Sequence, residues 1–216
     1  MMGIALKRRG FCRLLVGGSH AGAWLAGAAI GRAADLPAPA RPIAALNAAL
    51  LAAMKAGPTE SFASRAAALQ PVVERAFDLP AILRASVGSR WAGFSAVAQG
   101  ALLEAFTRFT VASWTANFDR FDGERFEVLP EMRQVGAEQV VESQIVPRQG
   151  TPTRLDYVMR DSGDAWKAVD VLVDGAISRV ATQRSDFRSL LTSGDPAPLL
   201  AMLRHKADAL AAGGGS

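Results

Sequence analysis

Four stretches in the second half of the chain alternate apolar and polar residues, and the gaps between them are too short to hold a crossover. They span residues 125–129, 139–147, 153–160 and 165–173. Alternation at period two puts every second side chain on one face of a strand. Gly150-Thr151-Pro152 and Asp161-Ser162-Gly163-Asp164 have the composition of turns. A parallel pair needs a connection of about a dozen residues or more, so these segments predict an antiparallel meander. In the last of them Val169, Val171 and Val173 alternate with Ala168, Asp170 and Leu172, which predicts one continuously apolar face. Leu155, Tyr157 and Met159 form such a face on the third strand, and Val141, Ser143 and Ile145 a matching one on the second. Asp174-Gly175 closes the run, because glycine accepts a positive φ that a Cβ resists.

The first half of the chain has the helical period instead. Residues 43–55 carry Leu46, Leu50 and Met54 at helical spacing and stop at Gly57-Pro58-Thr59. Residues 61–76 predict a second helix with Phe62, Leu69, Val72 and Val73 inward, kinked at Pro71. Asp78 caps a short helix with Pro80 in its first turn, where the missing N–H costs little, and Gly88 ends it. The long helix covers residues 95–118. Leu102, Phe106, Phe109, Ser113 and Ala116 share one face, widened by Leu103, Thr110 and Trp114, while Glu104 and Arg108 form an i,i+4 pair opposite. Helices over 180–191 and 196–210 follow the strands, and residues 35–42, with three prolines, read as an extended tail. Helices followed by strands predict an α+β domain: a four-stranded antiparallel sheet packed against several helices. Where a curved sheet and a long helix diverge, an apolar ligand cavity can open between them.

Residues 1–33 contain Lys7, Arg8, Arg9, Arg13 and Arg32 and no acid. This basic patch, a weakly apolar run over 14–30 and Gly31-Arg32-Ala33 predict a cleavable export signal, leaving residues 34–216 as one domain. Arg8-Arg9-Gly10-Phe11 has the form of a twin-arginine signal, although Lys7 stands where Ser or Thr is usual, so Sec export stays open. The apolar run is diluted by Gly17, Gly18, Ser19, His20, Gly22 and Gly27, which argues against a span of about 20 strongly apolar residues. Cys12 precedes that run, so it is not a lipoprotein cysteine.

Cleavage changes the charge argument. The whole chain has 24 basic and 20 acidic residues; without the leader's five basic ones, 19 stand against 20. The basic isoelectric point therefore belongs to the leader, and the mature chain has no positive field to draw in nucleic acid. The only cysteine and one of two histidines leave with it. Zinc sites of Cys and His, thiolate nucleophiles and disulfides are excluded, and His205 alone is a poor start for a serine triad. No enzyme and no cofactor is expected.

The run Trp166-Lys167-x-x-Asp170-Val171-x-x-x-Gly175, followed by Arg184-Ser185-x-Phe187, resembles the lipid-binding proteins of the MlaC, or toluene-tolerance auxiliary, family. Phe77-Asp78-Leu79-Pro80-x-Ile82, Phe126-x-Val128-Leu129-Pro130 and Arg154-Leu155-Asp156-Tyr157-x-Met159-Arg160 extend the likeness. Asp174-Gly175-x-Ile177-Ser178 with Ala181-Thr182-x-Arg184-Ser185 is most similar to the branch named for hopanoid biosynthesis. The resemblance implies a periplasmic carrier with phospholipid or hopanoid as cargo. It also implies an inner-membrane ABC-type lipid transporter and an outer-membrane lipid complex as partners, in a system that maintains outer-membrane lipid asymmetry. The family's pocket positions fall on Met159, beside Leu155 and Tyr157, and on the residue after Gly175. This chain has one residue more there, so Ala176 or Ile177 takes that place.

Periodicity adds Leu102, Phe106, Phe109, Ile145, Val169 and Val171 to the expected lipid-binding set. A void of about 500 Å³ at about 24 cal/mol per Å³ costs about 12 kcal/mol, so such a pocket is expected to be filled, flooded or collapsed. Two other readings compete. One is a small cone-shaped α+β enzyme acting on an apolar substrate, with Asp156 or Asp170 as base. The other is an adaptor that docks on membrane complexes and holds no ligand.

Overall fold

A computed structural model describes residues 36–213, so the leader assigned to residues 1–33 lies outside the described part. The expected extended tail is instead folded: a 3-10 turn, Ala38–Ala40, leads straight into α1 (Arg41–Ala56), and Pro39 and Ala40 are buried. Proline fits a helix's first turn because its missing N–H would have no partner there. Ile43, Leu46, Leu50 and Met54 are the buried face of α1, at the spacing the sequence predicts.

Side-chain caps set the starts of the next helices. Ser61 accepts from the Ser64 N–H at 3.1 Å ahead of α2 (Phe62–Ala76), which runs on through Pro71. Asp78 accepts from the Ala81 N–H at 3.0 Å ahead of α3 (Leu79–Val87), which Gly88 ends. The Asp78 N–H donates to the Ala168 carbonyl at 2.9 Å, so the entry to α3 is tied to the sheet. After a 3-10 stretch, Ser95 caps α4 (Ala96–Asn117).

The sheet has the order β1-β2-β3-β4-β5, antiparallel throughout. Its strands are β1 (Arg125–Val135), β2 (Glu138–Val146), β3 (Thr153–Asp161), β4 (Trp166–Val173) and β5 (Ile177–Ser178). The fifth strand corrects the expected four; at two residues it has no periodicity to read. Asp174 and Gly175 both take left-handed backbone, with φ of 52° and 72°, and fold β5 back on β4 as an Asp-Gly turn does. β1 runs six residues past its expected end at Leu129. Pro130 lies in a register shift between Val128 and Met132, on an edge strand where a missing N–H is tolerated.

A second irregularity decides the functional face. Met159 pairs with Ala168 and Val158 with Asp170, so Val169 is an extra residue without a partner. The apolar face of β4 is therefore Ala168, Val171 and Val173, not the expected Val169, Val171 and Val173. It continues through Leu155, Tyr157 and Met159 of β3 to Val141, Ser143 and Ile145 of β2. Ser143 is reconciled with this face by Asn47 of α1, whose amide donates to its hydroxyl at 3.2 Å.

The chain ends in α5 (Arg179–Leu190) and α6 (Ala197–Gly213). α1 lies against β1, while α2, α3 and α5 lie against β4. α4 packs on α2 and α6; its Trp114 meets Phe77, and Phe118 just past its end meets Phe126 of β1. Arg108 of α4 pairs with Asp208 of α6 at 2.6 Å rather than with the expected Glu104.

Candidate functional site: an apolar cavity under the long helix

A cavity of about 110 Å³ opens between α4, α3, α5 and the sheet. α4 supplies Phe106, Phe109, Thr110, Ser113, Trp114 and Asn117, one stripe at helical spacing, with Phe118 at its end. Phe77, Leu79 and Ile82 line it from the α3 side. The sheet contributes Leu155, Asp170, Val171 and Val173, and α5 contributes Arg179, Val180 and Gln183. Trp114 anchors one wall, stacked on Phe118 at 5.5 Å between ring centres and tilted against Phe77 at 5.6 Å.

Of the residues expected to bind lipid, the fold brings Phe106, Phe109, Leu155 and Val171 together around this space. It does not bring the others. Leu102, Tyr157 and Met159 are 0% exposed and sit in the core, and Ile145 is buried on β2, one strand beyond the lining Leu155 of β3. The bulge takes Val169 off the apolar face. Ala176 and Ile177 are both exposed, Ile177 by 52%: Ala176 follows the Asp-Gly turn, and Ile177 lies on β5, the edge strand. Sequence reasoning missed Phe77, Leu79, Ile82, Trp114, Phe118 and Val173 as walls, although the motif Phe77-Asp78-Leu79-Pro80-x-Ile82 and the widened α4 stripe pointed to most of them. The volume also falls well short of the expected 500 Å³.

The polar groups are placed unequally. Asp170 is well partnered: one oxygen accepts from Ser178 Oγ, and the other from the N–H groups of Val171 at 2.7 Å and Val180 at 3.1 Å. Gln183 accepts from Ser86 at 3.1 Å. The Thr110 hydroxyl is buried without a partner. Burial holds the Arg179 guanidinium below its ordinary pKa, against the opposing fields of Asp186 and Asp170.

Asp156 stands elsewhere. It does not line the cavity, is 0% exposed, and is gripped by both nitrogens of a bidentate Arg154 at 2.6 and 2.8 Å and by Arg133 at 3.1 Å. The hydrogen bond from Arg154 to Asp156 is what chiefly raises the Arg154 pKa. Asp156, held by two guanidinium groups, and Asp170, held by three donors, are both engaged in structural hydrogen bonds. Among the described residues no cluster of His, Cys, Asp and Glu could hold a metal ion, and no helix is long and apolar enough to cross a membrane.

Residues 45–205 match the family model described as MlaC protein. A solved structure of a phospholipid-binding protein from Ralstonia solanacearum, in complex with a phospholipid, superposes with a TM-score of 0.69 at 18% identity. That match covers 81% of this chain and 98% of the other. No curated protein matched the chain.

Proposed function

Because the chain belongs to the MlaC family, we propose that it is a lipid carrier whose cavity shelters acyl chains from water. The observation that carries this reading is the cavity itself: aromatic and aliphatic walls, backed by a sheet face. Burying a CH₂ is worth about 0.8 kcal/mol, so two chains of about 16 carbons represent roughly 25 kcal/mol of exposure in water. A lipid therefore does not cross an aqueous compartment alone at a useful rate. An apolar pocket that matches the bilayer interior makes the transfer nearly isoenergetic, and no bond has to be made or broken.

In this reading the protein works in the periplasm as the soluble part of an ABC-type lipid transport system. It shuttles a phospholipid or hopanoid between an inner-membrane transporter complex and an outer-membrane lipid complex. The Ralstonia protein of similar fold holds a phospholipid, which supports an acyl-chain cargo. The test is mass spectrometry on protein purified without detergent, followed by uptake from phospholipid vesicles. One lipid per chain is expected. No co-purified lipid and no uptake would remove the carrier reading and leave the adaptor.

A further inference from the structure

Arg179 is the one cation in the cavity wall, and the fold gives its guanidinium nothing to bind. Asp170 and Asp186 lie within electrostatic reach, yet no hydrogen bond or ion pair joins either to Arg179 among the described residues. Asp170 spends its oxygens on Ser178 and on two backbone N–H groups, at the start of α5 where the helix dipole favours an anion. Its charge is thus absorbed locally, while that of Arg179 is not.

Burial gives the unpaired charge a meaning. Phe77, Phe106, Leu155 and Val171 of the cavity wall are buried, whereas Arg179 and Gln183 are only half-buried. Acyl tails against the buried apolar walls leave the polar linkage of their lipid to the half-buried Arg179. Resting on the carrier reading above, we propose that Arg179 anchors an anionic group, a phosphodiester at the glycerol end of a two-tailed lipid, and so selects phospholipid over uncharged lipids. Guanidinium matches phosphate geometry with two parallel N–H bonds, and a half-desolvated site strengthens them.

The test presents vesicles of dioleoylphosphatidylglycerol containing a minor fraction of dioleoylglycerol, which has the same tails and no phosphate. The ratio of the two lipids taken up, relative to their ratio in the vesicle, is read by mass spectrometry for the wild-type chain, Arg179→Gln and Arg179→Lys. The wild type is expected to enrich the phospholipid, Arg179→Gln to lower that enrichment about tenfold, and Arg179→Lys to keep most of it. An unchanged ratio in Arg179→Gln, or an equal fall in uptake of both lipids, would overturn the anchor while leaving the carrier intact. Uptake of neither lipid by the wild type would overturn the carrier reading and the anchor with it. Inorganic phosphate alone raising the melting temperature of the wild type but not of Arg179→Gln would make this a free-anion site and overturn the lipid assignment.

Discussion

Tyr157 is the only tyrosine in the chain, fully buried in the middle strand, and its hydroxyl has no hydrogen-bond partner. Burial alone raises its pKa far above the ordinary value. The folded chain therefore keeps a proton that the unfolded chain gives up above about pH 10, so this group's stabilisation is complete below that pH and is lost as pH rises. Tyr157→Phe removes both the orphan hydroxyl and the titration. It is expected to raise stability by about 1 kcal/mol at neutral pH and to flatten the alkaline decline. Urea melts at pH 7 and pH 11 check the slope, and tyrosinate absorbance, which has a single source here, should appear only with unfolding. Gly175 is the other residue whose identity the geometry dictates. Its φ is 72°, and an added Cβ would meet the Arg154 guanidinium at 3.4 Å and Asp156 at 3.5 Å. Gly175→Ala is expected to cost about 1–2 kcal/mol in urea denaturation, from the left-handed backbone alone. A neutral result would mean that the turn relaxes away from the ion pair.

At the scale of elements, the walls of the cavity separate residues that line it from residues that merely share a sheet face with its lining. Met159 is 0% exposed and pairs with Ala168, away from the open space, so Met159→Glu buries an unpaired carboxylate and is expected to cost about 4 kcal/mol or more. Phe109 is half-buried on α4 and faces the cavity; Phe109→Glu should leave circular dichroism unchanged and abolish lipid retention. Loss of lipid with intact fold in both variants would show that the loaded cavity reaches along β3 to Met159. The helices were legible from their period, although the start of α1 was hidden by its prolines, and Asp78 accepts the N–H bond that its place as a cap promised. The three-strand core of the sheet was legible too, because Val141, Tyr157 and Val171 alternate and pair in one row. What could not be read is whatever breaks the alternation. An extra Val169 keeps the composition of a perfect strand while shifting the face from Val169 to Ala168. Nothing in a run of valines signals that shift. Likewise the α4 stripe gave Phe106 and Phe109, but only the placement of α3 and α5 decides that Leu102 is core and Trp114 is wall.

For the molecule as a whole, the size of the cavity is the quantity that constrains how it works. An enclosed void of about 110 Å³ would cost at most about 2.6 kcal/mol at about 24 cal/mol per Å³, which a fold of ordinary stability tolerates, whereas the expected 500 Å³ would cost about 12. Pockets for drug-sized ligands run to about 300–1,000 Å³, so acyl chains enter only if the walls part. The cavity lies between α4 and the sheet, and Trp114 forms part of its wall, stacked on Phe118 and tilted against Phe77; we take this as the seam that parts. Chains that open this seam must insert against the Trp114 ring, replacing aromatic neighbours by methylenes. Uptake from phosphatidylglycerol vesicles should therefore shift the protein's tryptophan emission and raise its melting temperature, as any ligand of the folded state does. In Trp114→Phe of the chain from residue 34 on, which lacks Trp24, the emission shift should vanish, while Trp91 and Trp166, which do not line the cavity, remain as unresponsive controls. Lipid bound by mass spectrometry with the wild-type emission unmoved would place the tails on some other surface, and the seam would then be only a loosely packed part of the core.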